Sequence, residues 1–385
     1  MLGVHFRVAE GDLVTPGGQT TGVHLVAGVS SGVSLLDVDH DGKSLPVATT
    51  FLPPDQGSAE DVSPRQITIT RSFTDQFFRG GLRSSGIAVL VIMTLVGLFL
   101  GARALEALRV AGPSFITTQV WEPDGGQFGI AAVLTGTVFI AVTSILIVVP
   151  LSTAVALYIS EYAPRKIKQS LVALVDLMAA VPSVVFGLWG FFFLQGHMIG
   201  IARWISTYFG WIPIFSVDGS DPDDPLSTAT VFTSSTFIAA VVVAIMVAPF
   251  TTAVMREVFS QAPVGEREGA YALGATKWGM IRAVVIPFGK GGMIGGTMLG
   301  LGRALGETIV VALIISPVFI IQPHILQNGT NSVAALIALR YGEATPFGTS
   351  ALMAAGLALF LITLVVNFAA SSVIARTRSG AATDE

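Results

Sequence analysis

The sequence predicts an all-α, polytopic membrane protein with six transmembrane helices. Of its 385 residues, 52% are hydrophobic and only 12% are charged, about half the charged fraction of an ordinary soluble domain. The apolar residues are gathered into six long runs rather than spread as the core of a soluble domain. The basic residues fall almost entirely on one side of those runs, as membrane insertion demands.

A helix needs roughly 20 mainly apolar residues to cross the hydrocarbon core. The first run extends from about Gly86 to Leu108. The second extends from about Ile130 to Ser160, long enough to tilt or to project past the bilayer. The third covers about Ser170 to Leu194 and the fourth about Phe237 to Met255. The fifth covers about Gly291 to Ile321 and the sixth about Thr349 to Ile374. Pro150, Pro182, Pro249 and Pro317 fall in or near these runs. Kinks are expected there, since neighbouring helices can satisfy a carbonyl that proline frees.

Orientation follows from Lys and Arg near the helix ends. With the segment before the first run in the cytosol, that side receives Arg79, Arg83, Arg165, Lys166, Lys168, Arg256, Lys277, Lys290 and Arg376, among others. The opposite side receives only Arg109, Arg203 and Arg340. Both termini are therefore expected in the cytosol, in a multi-pass protein of the bacterial plasma (inner) membrane surrounded by lipid. The small net charge of −4 offers nothing to a nucleic acid. The absence of cysteine excludes disulfides, thiolate metal sites and cysteine nucleophiles.

Residues 1–70 are low in periodicity and rich in Gly, Ser, Thr, Asp and Val, with no basic-then-apolar signal pattern. They are expected to be poorly ordered and cytosolic, beside a six-helix transmembrane domain over 71–380. The external loop from Leu194 to Thr236 carries Asp218, Asp221, Asp223 and Asp224. It also holds an amphipathic stretch, Ile201, Trp204, Ile205, Tyr208 and Phe209, expected at the membrane interface.

The cytosolic loop at about 258–290 has a different character. Glu268 is followed by the small residues Gly269 and Ala270, which let a partner backbone approach closely. Gly274 can end a helix with a positive φ. Thr276 to Arg282 has one apolar face, and Pro287 precedes the next run. Two short helices joined at Gly274 make an elbow rigid enough to pass on a push. Nothing in the chain matches the phosphate-cradling G-x-x-x-x-G-K-[ST] loop. The chain is therefore expected to be no enzyme, to bind no cofactor or metal, and to leave any ATP hydrolysis to a separate subunit.

The fifth run contains Arg303 and Glu307. A charge at the bilayer centre costs at least about 2.5–3.5 kcal/mol, so such residues usually face a protein interior or a water-filled path. Four residues apart, they are expected to share one helical face. The Arg fork suits two oxygens of a tetrahedral oxyanion, and a nearby carboxylate can accept a hydrogen bond from the proton that phosphate carries at neutral pH and sulfate lacks. An internal salt bridge is the alternative. Gly292, Gly296 and Gly300 repeat every four residues, as do Gly302 and Gly306, a spacing suited to close helix packing.

The elbow is similar to the EAA signature, E-A-A-x3-G-x9-I-x-L-P, of type I binding-protein-dependent ABC importer permeases. Here it reads Glu268-Gly269-Ala270, Gly274, then Val284-Val285-Ile286-Pro287, with the spacing intact. Leu301 to Thr308, Val181 to Gly190 and Ser160 to Arg165 resemble segments of phosphate permease subunits. Phe115 to Thr118, Trp121, Pro123 and Phe128-Gly129 resemble the PstC type rather than its PstA-type partner. The resemblance covers about Phe73 to Arg376. It implies the type I permease fold and an ATP-driven phosphate importer. That assembly pairs this subunit with a PstA-type permease subunit, two ATP-binding subunits that use ATP and Mg, and an extracytoplasmic phosphate-binding protein. It implicates Arg303 and Glu307 in phosphate passage, and Glu268, Gly269, Ala270, Gly274 and Pro287 in coupling. Asp176 is a secondary candidate by position. Another oxyanion such as sulfate or molybdate, an ion-driven carrier, and a nutrient sensor acting through protein contacts remain as alternatives.

Overall fold

The computed structural model describes residues 28–29, 32–33, 73–219 and 230–378. The chain divides into two compact units, Met1–Phe78 and Arg79–Glu385. In the first, Gly28–Val29 pairs antiparallel with Gly32–Val33. The rest of the expected N-terminal segment lies outside the described residues, as do Asp221, Asp223 and Asp224.

Among the described residues, six helices are long and apolar enough to cross a membrane: Phe77–Ile116, Ala131–Tyr162, Ser183–Phe209, Thr236–Ser260, Lys277–Leu305 and Pro346–Ala369. We call them the first to sixth spans. The first is exposed over most of its length, with Leu90 at 68% and Leu98 at 64%, a face fit for lipid, and packs into a core cluster only near its end through Ala104, Ala107 and Phe115. The second and fourth spans pack most extensively on each other and form the centre, around Ile140, Val148, Val243 and Val247.

Two expected boundaries are corrected. The third run does not form a single span from about Ser170. Its first part is a separate helix, Arg165–Ala179, none of whose residues is buried. The chain breaks at Ala180 to Pro182, where Pro182 is extended (φ −58°, ψ 139°), and the membrane-length helix starts at Ser183. Proline biases its predecessor away from helix, and Pro182 is exposed, so no packing holds a helix across it. As a second consequence, Ile201, Trp204, Ile205, Tyr208 and Phe209 belong to the end of this third span instead of a separate interfacial stretch.

The fifth span is also displaced. It starts at Lys277, inside the stretch expected to be a cytosolic loop, and ends at Leu305. A short helix, Ile309–Ile314, follows the break. Pro287 therefore lies within the span instead of preceding it. A π-helical turn over Ile281–Val285 lies immediately upstream, the kind of local rearrangement that accommodates a lost backbone donor. Pro317, expected to kink a helix, lies in non-helical chain beyond Ile314.

Pro150 and Pro249 sit inside unbroken helices. Across from Pro249, the Ser152 hydroxyl donates to the Ala248 carbonyl at 3.1 Å, a hydrogen bond between the second and fourth spans. The glycines of the fifth span explain its approach to the fourth. A Cβ on Gly292 would lie 2.3 Å from the Val258 side chain, and one on Gly300 would lie 2.8 Å from Thr251 Oγ1. Only hydrogen fits there, so the repeat at 292, 296 and 300 is a packing stripe.

Between the first and second spans, Trp121–Glu122 pairs antiparallel with Gln127–Phe128 in a short hairpin. Phe128 meets Phe115, Trp121 and Phe347 edge-on at 6.0, 6.2 and 5.6 Å.

Candidate functional site: a one-charge cavity and a two-helix elbow

The fourth, fifth and sixth spans line an open cavity of about 770 Å³. Phe250 and Val254 line it from the fourth span; Gly295, Met298, Leu299, Gly302 and Arg303 from the fifth; Thr363 and Asn367 from the sixth, and Ser371 from the continuation of that helix, which runs over Pro346–Arg378. Arg303 is the only charged residue among them. Its guanidinium lies over the Phe250 ring, 5.8 Å from the centroid, a contact that holds the fork without consuming its hydrogen-bond donors. A single cation in an apolar lining of this kind attracts an anion.

Glu307 does not share a helical face with Arg303. The helix ends at Leu305, Gly306 caps it, and Glu307 stands beyond the break. Buried at 9% exposure, its carboxylate accepts the Val310 N–H at 3.2 Å, capping Ile309–Ile314. Among the described residues no ion pair joins it to Arg303. The physical cause is the glycine: once the helix unwinds at Gly306, the four-residue spacing no longer sets the face. Glu307 meets an unpaired helix start, where a carboxylate is favoured. Asp176 is exposed on the Arg165–Ala179 helix and does not line the cavity.

The sixth span supplies what sequence reasoning missed. Thr363, Asn367 and Ser371 lie four apart, so they stack on one face of the helix, and all three line the cavity. Thr363 Oγ1 donates to the Leu359 carbonyl at 2.7 Å, and Ser371 Oγ to that of Asn367 at 2.9 Å. Both hydroxyl protons are thus engaged and the oxygens are left as acceptors. The signal was legible as three polar residues at helical spacing within an apolar run.

The elbow forms as expected in its turn chemistry. A helix over Val264–Ala272 precedes a turn at Gly274, whose φ is +82°. Thr276 then caps the next helix by accepting the Gly279 N–H at 3.1 Å. Glu268 and Gly269 are exposed, whereas Ala270 packs against the cluster of Met255, Phe259, Met280 and Ile281. Around them Leu273 is 91% exposed, with Val264, Tyr271 and Trp278 also largely exposed. Among the described residues no three His, Asp or Glu side chains converge as metal ligands.

Residues 149–379, which include the elbow and the cavity-lining residues, match the family model for the binding-protein-dependent transport system inner membrane component. The chain is 36% identical over 303 residues to the phosphate transport system permease protein PstC 2 of Mycobacterium tuberculosis, covering 78% of this chain and 91% of that one. It is 36% identical to PstC of Xylella fastidiosa over 293 residues, covering 76% of this chain and 88% of that one. It is 35% identical to PstC of Mesorhizobium japonicum over 324 residues, covering 83% and 96%. A solved bacterial ABC transporter involved in alginate import is similar at 18% identity and a TM-score of 0.49, over 79% of this chain and 98% of that chain. With its six membrane-length helices, the chain belongs to the binding-protein-dependent transport system inner membrane components, the multi-pass permease subunits of ABC importers.

Proposed function

We propose that the chain forms half of the translocation path for inorganic phosphate in an ATP-driven importer of the plasma membrane. The observation that carries this reading is Arg303, the one charged residue lining the cavity of a chain similar to phosphate transport permeases. The Arg fork pairs two phosphate oxygens. Phosphate at neutral pH also carries a proton, and the oxygens of Thr363 and Ser371, their own protons engaged, are left to accept a hydrogen bond from it. Glu307 holds the helix break behind Arg303 and so sets where the guanidinium ends the span. Several weak contacts spread along the path let the anion leave, which one tight site would prevent.

The elbow containing Glu268, Gly269, Ala270 and Gly274, with Pro287 in the span it opens, receives a separate ATP-binding subunit. Its exposed Leu273 and Trp278 supply apolar contact area. The chain carries no ATPase loop of its own, so ATP and Mg belong to two such subunits. A second permease subunit of PstA type completes the path, and a phosphate-binding protein delivers cargo from outside. Residues 71–380 form the permease domain, and residues 1–70 precede it in the cytosol.

The test is uptake of labelled phosphate by cells that lack high-affinity import, supplied with this chain and its partner subunits. Restored uptake supports the reading. Restoration with sulfate or molybdate alone keeps the fold and removes the cargo. Orientation has its own test, since the chain is free of cysteine. A membrane-impermeant thiol reagent added outside intact cells should label Trp211→Cys and spare Leu273→Cys, two sites 79% and 91% exposed. The reverse pattern inverts the topology.

A further inference from the structure

The elbow is tied to the membrane core at a place its own signature does not include. Arg267, next to Glu268, reaches the end of the second span. Its Nη2 lies 3.2 Å from Glu161 Oε1, and its Nη1 donates to Oε2 at 3.4 Å. The same Nη2 donates to the Phe259 carbonyl, in the last turn of the fourth span, at 2.7 Å. The Glu161 side chain is only 5% exposed and that of Arg267 21%. One guanidinium therefore pins the first elbow helix to the ends of the two spans that make up the centre of the bundle.

The second elbow helix is held at the neighbouring residue. Lys277 Nζ sits 4.7 Å from the centre of the Tyr162 ring. Glu161 and Tyr162 both belong to the π-helical turn Tyr158–Tyr162 that ends the second span, a departure from α geometry often found where function requires it. Lys168 braces the same turn by donating to the Ser160 carbonyl at 3.0 Å. A buried ion pair is weak evidence of stability, because apolar residues of similar volume often serve as well, but losing one partner leaves an uncompensated charge. What such a pair supplies is fixed direction and distance.

We infer that the Glu161–Arg267 pair is the positioning link through which displacement of the elbow moves the second and fourth spans together. Lys277 begins the fifth span, which carries Arg303, so a push on the elbow reaches the cavity-lining helices by two routes. The fifth span follows covalently and the fourth follows through Arg267. The inference rests on the reading of the elbow as the docking site of an ATP-binding subunit.

The experiment uses the whole complex in lipid vesicles and measures phosphate moved per ATP hydrolysed. Glu161→Gln, which keeps the shape and removes the charge, should lower that ratio by about tenfold, within the range by which single residues alter coupling. Arg267→Gln should do the same, and Arg267→Lys should recover part of the loss. The double variant Glu161→Gln/Arg267→Gln should be no worse than the worse single one, as expected of partners in one interaction. Ratios unchanged in the single variants, or losses that multiply in the double variant, would overturn the inference.

A second readout does not depend on cargo. Spin labels at Leu146→Cys, on the exposed face of the second span, and at Glu266→Cys, an exposed position on the first elbow helix, report whether the two move as one body. Their separation should stay constant through the nucleotide cycle in the otherwise unchanged chain and vary in Glu161→Gln. A constant separation in both overturns the link. A wild-type complex that hydrolyses ATP but moves no phosphate defeats the importer reading instead, and the spin-label result still decides the link. Should Glu161→Gln fail to assemble, Glu161→Asp, which keeps the charge but shortens its reach, is read by the same two measurements.

Discussion

Arg303→Gln should reduce phosphate uptake at least about tenfold while the protein still reaches the membrane. Hydrogen bonds to a charged group contribute roughly 1.5–3 kcal/mol, and about 1.4 kcal/mol is a factor of ten in rate. Glutamine keeps much of the length and some hydrogen-bonding capacity but removes the only charge lining the cavity. It also removes the stacking over Phe250. Arg303→Lys should fall between the two, since an ammonium restores the charge without the two-pronged fork. Uptake is measured in cells lacking other high-affinity import, normalised to the amount of chain in the membrane. Normal transport by Arg303→Gln would mean that the anion passes elsewhere and that the guanidinium serves the packing of the fourth and fifth spans.

The second large effect is expected at the elbow. Glu268→Lys reverses a charge on an exposed helix face, and truncating or reversing one member of a buried interfacial pair costs about 2–5 kcal/mol. Co-purification of the ATP-binding subunit should fall by tenfold or more, and ATP-driven uptake with it. Leu273→Asp is a companion variant. That side chain is 91% exposed in the isolated chain, so a carboxylate there leaves the fold intact and harms only a partner that covers it. If both variants keep the ATP-binding subunit bound and transport normally, docking takes place on another cytosolic surface. Loss of binding by Leu273→Asp with retention by Glu268→Lys would show that the contact is apolar and that Glu268 stands at its rim.

Much of the architecture was legible because bilayer crossing imposes a length and an apolarity that any sliding reading detects. The fourth span was expected from Phe237 to Met255 and runs from Thr236 to Ser260. Gly274 was expected at positive φ because an elbow of two short helices needs a left-handed joint, and it has one. The glycines at 292, 296 and 300 were expected to pack, and they meet Val258, Met255 and Thr251 of the fourth span.

Other features were hidden because hydropathy sums over a window and is blind to where a helix breaks. Pro182 ends a helix and Pro249 does not, although both stand in apolar runs. Pro249 is buried among packed residues of the fourth span, with Val247 fully buried beside it. Contacts on all sides hold the backbone helical there despite the missing donor, whereas Pro182 is exposed and nothing opposes the break. Gly306 likewise divided a run that looked continuous through Ile321. That break moved Glu307 from a shared face with Arg303 to the cap of a different helix.

The sequence by itself determined the class of molecule, the six membrane-length helices, the elbow with its turn, and Arg303 as a charge needing a reason to be in an apolar run. These rest on composition, spacing and the cost of placing charge in hydrocarbon, which act locally along the chain. Only the tertiary structure decided the partners of each polar group. It set Arg303 over Phe250 in the cavity that Thr363, Asn367 and Ser371 also line, bound Glu307 to Val310, and joined Arg267 to Glu161 across 106 residues of chain. The reason is physical: a buried polar group must find its complement wherever packing brings one within reach, and that proximity is set by how the helices cross.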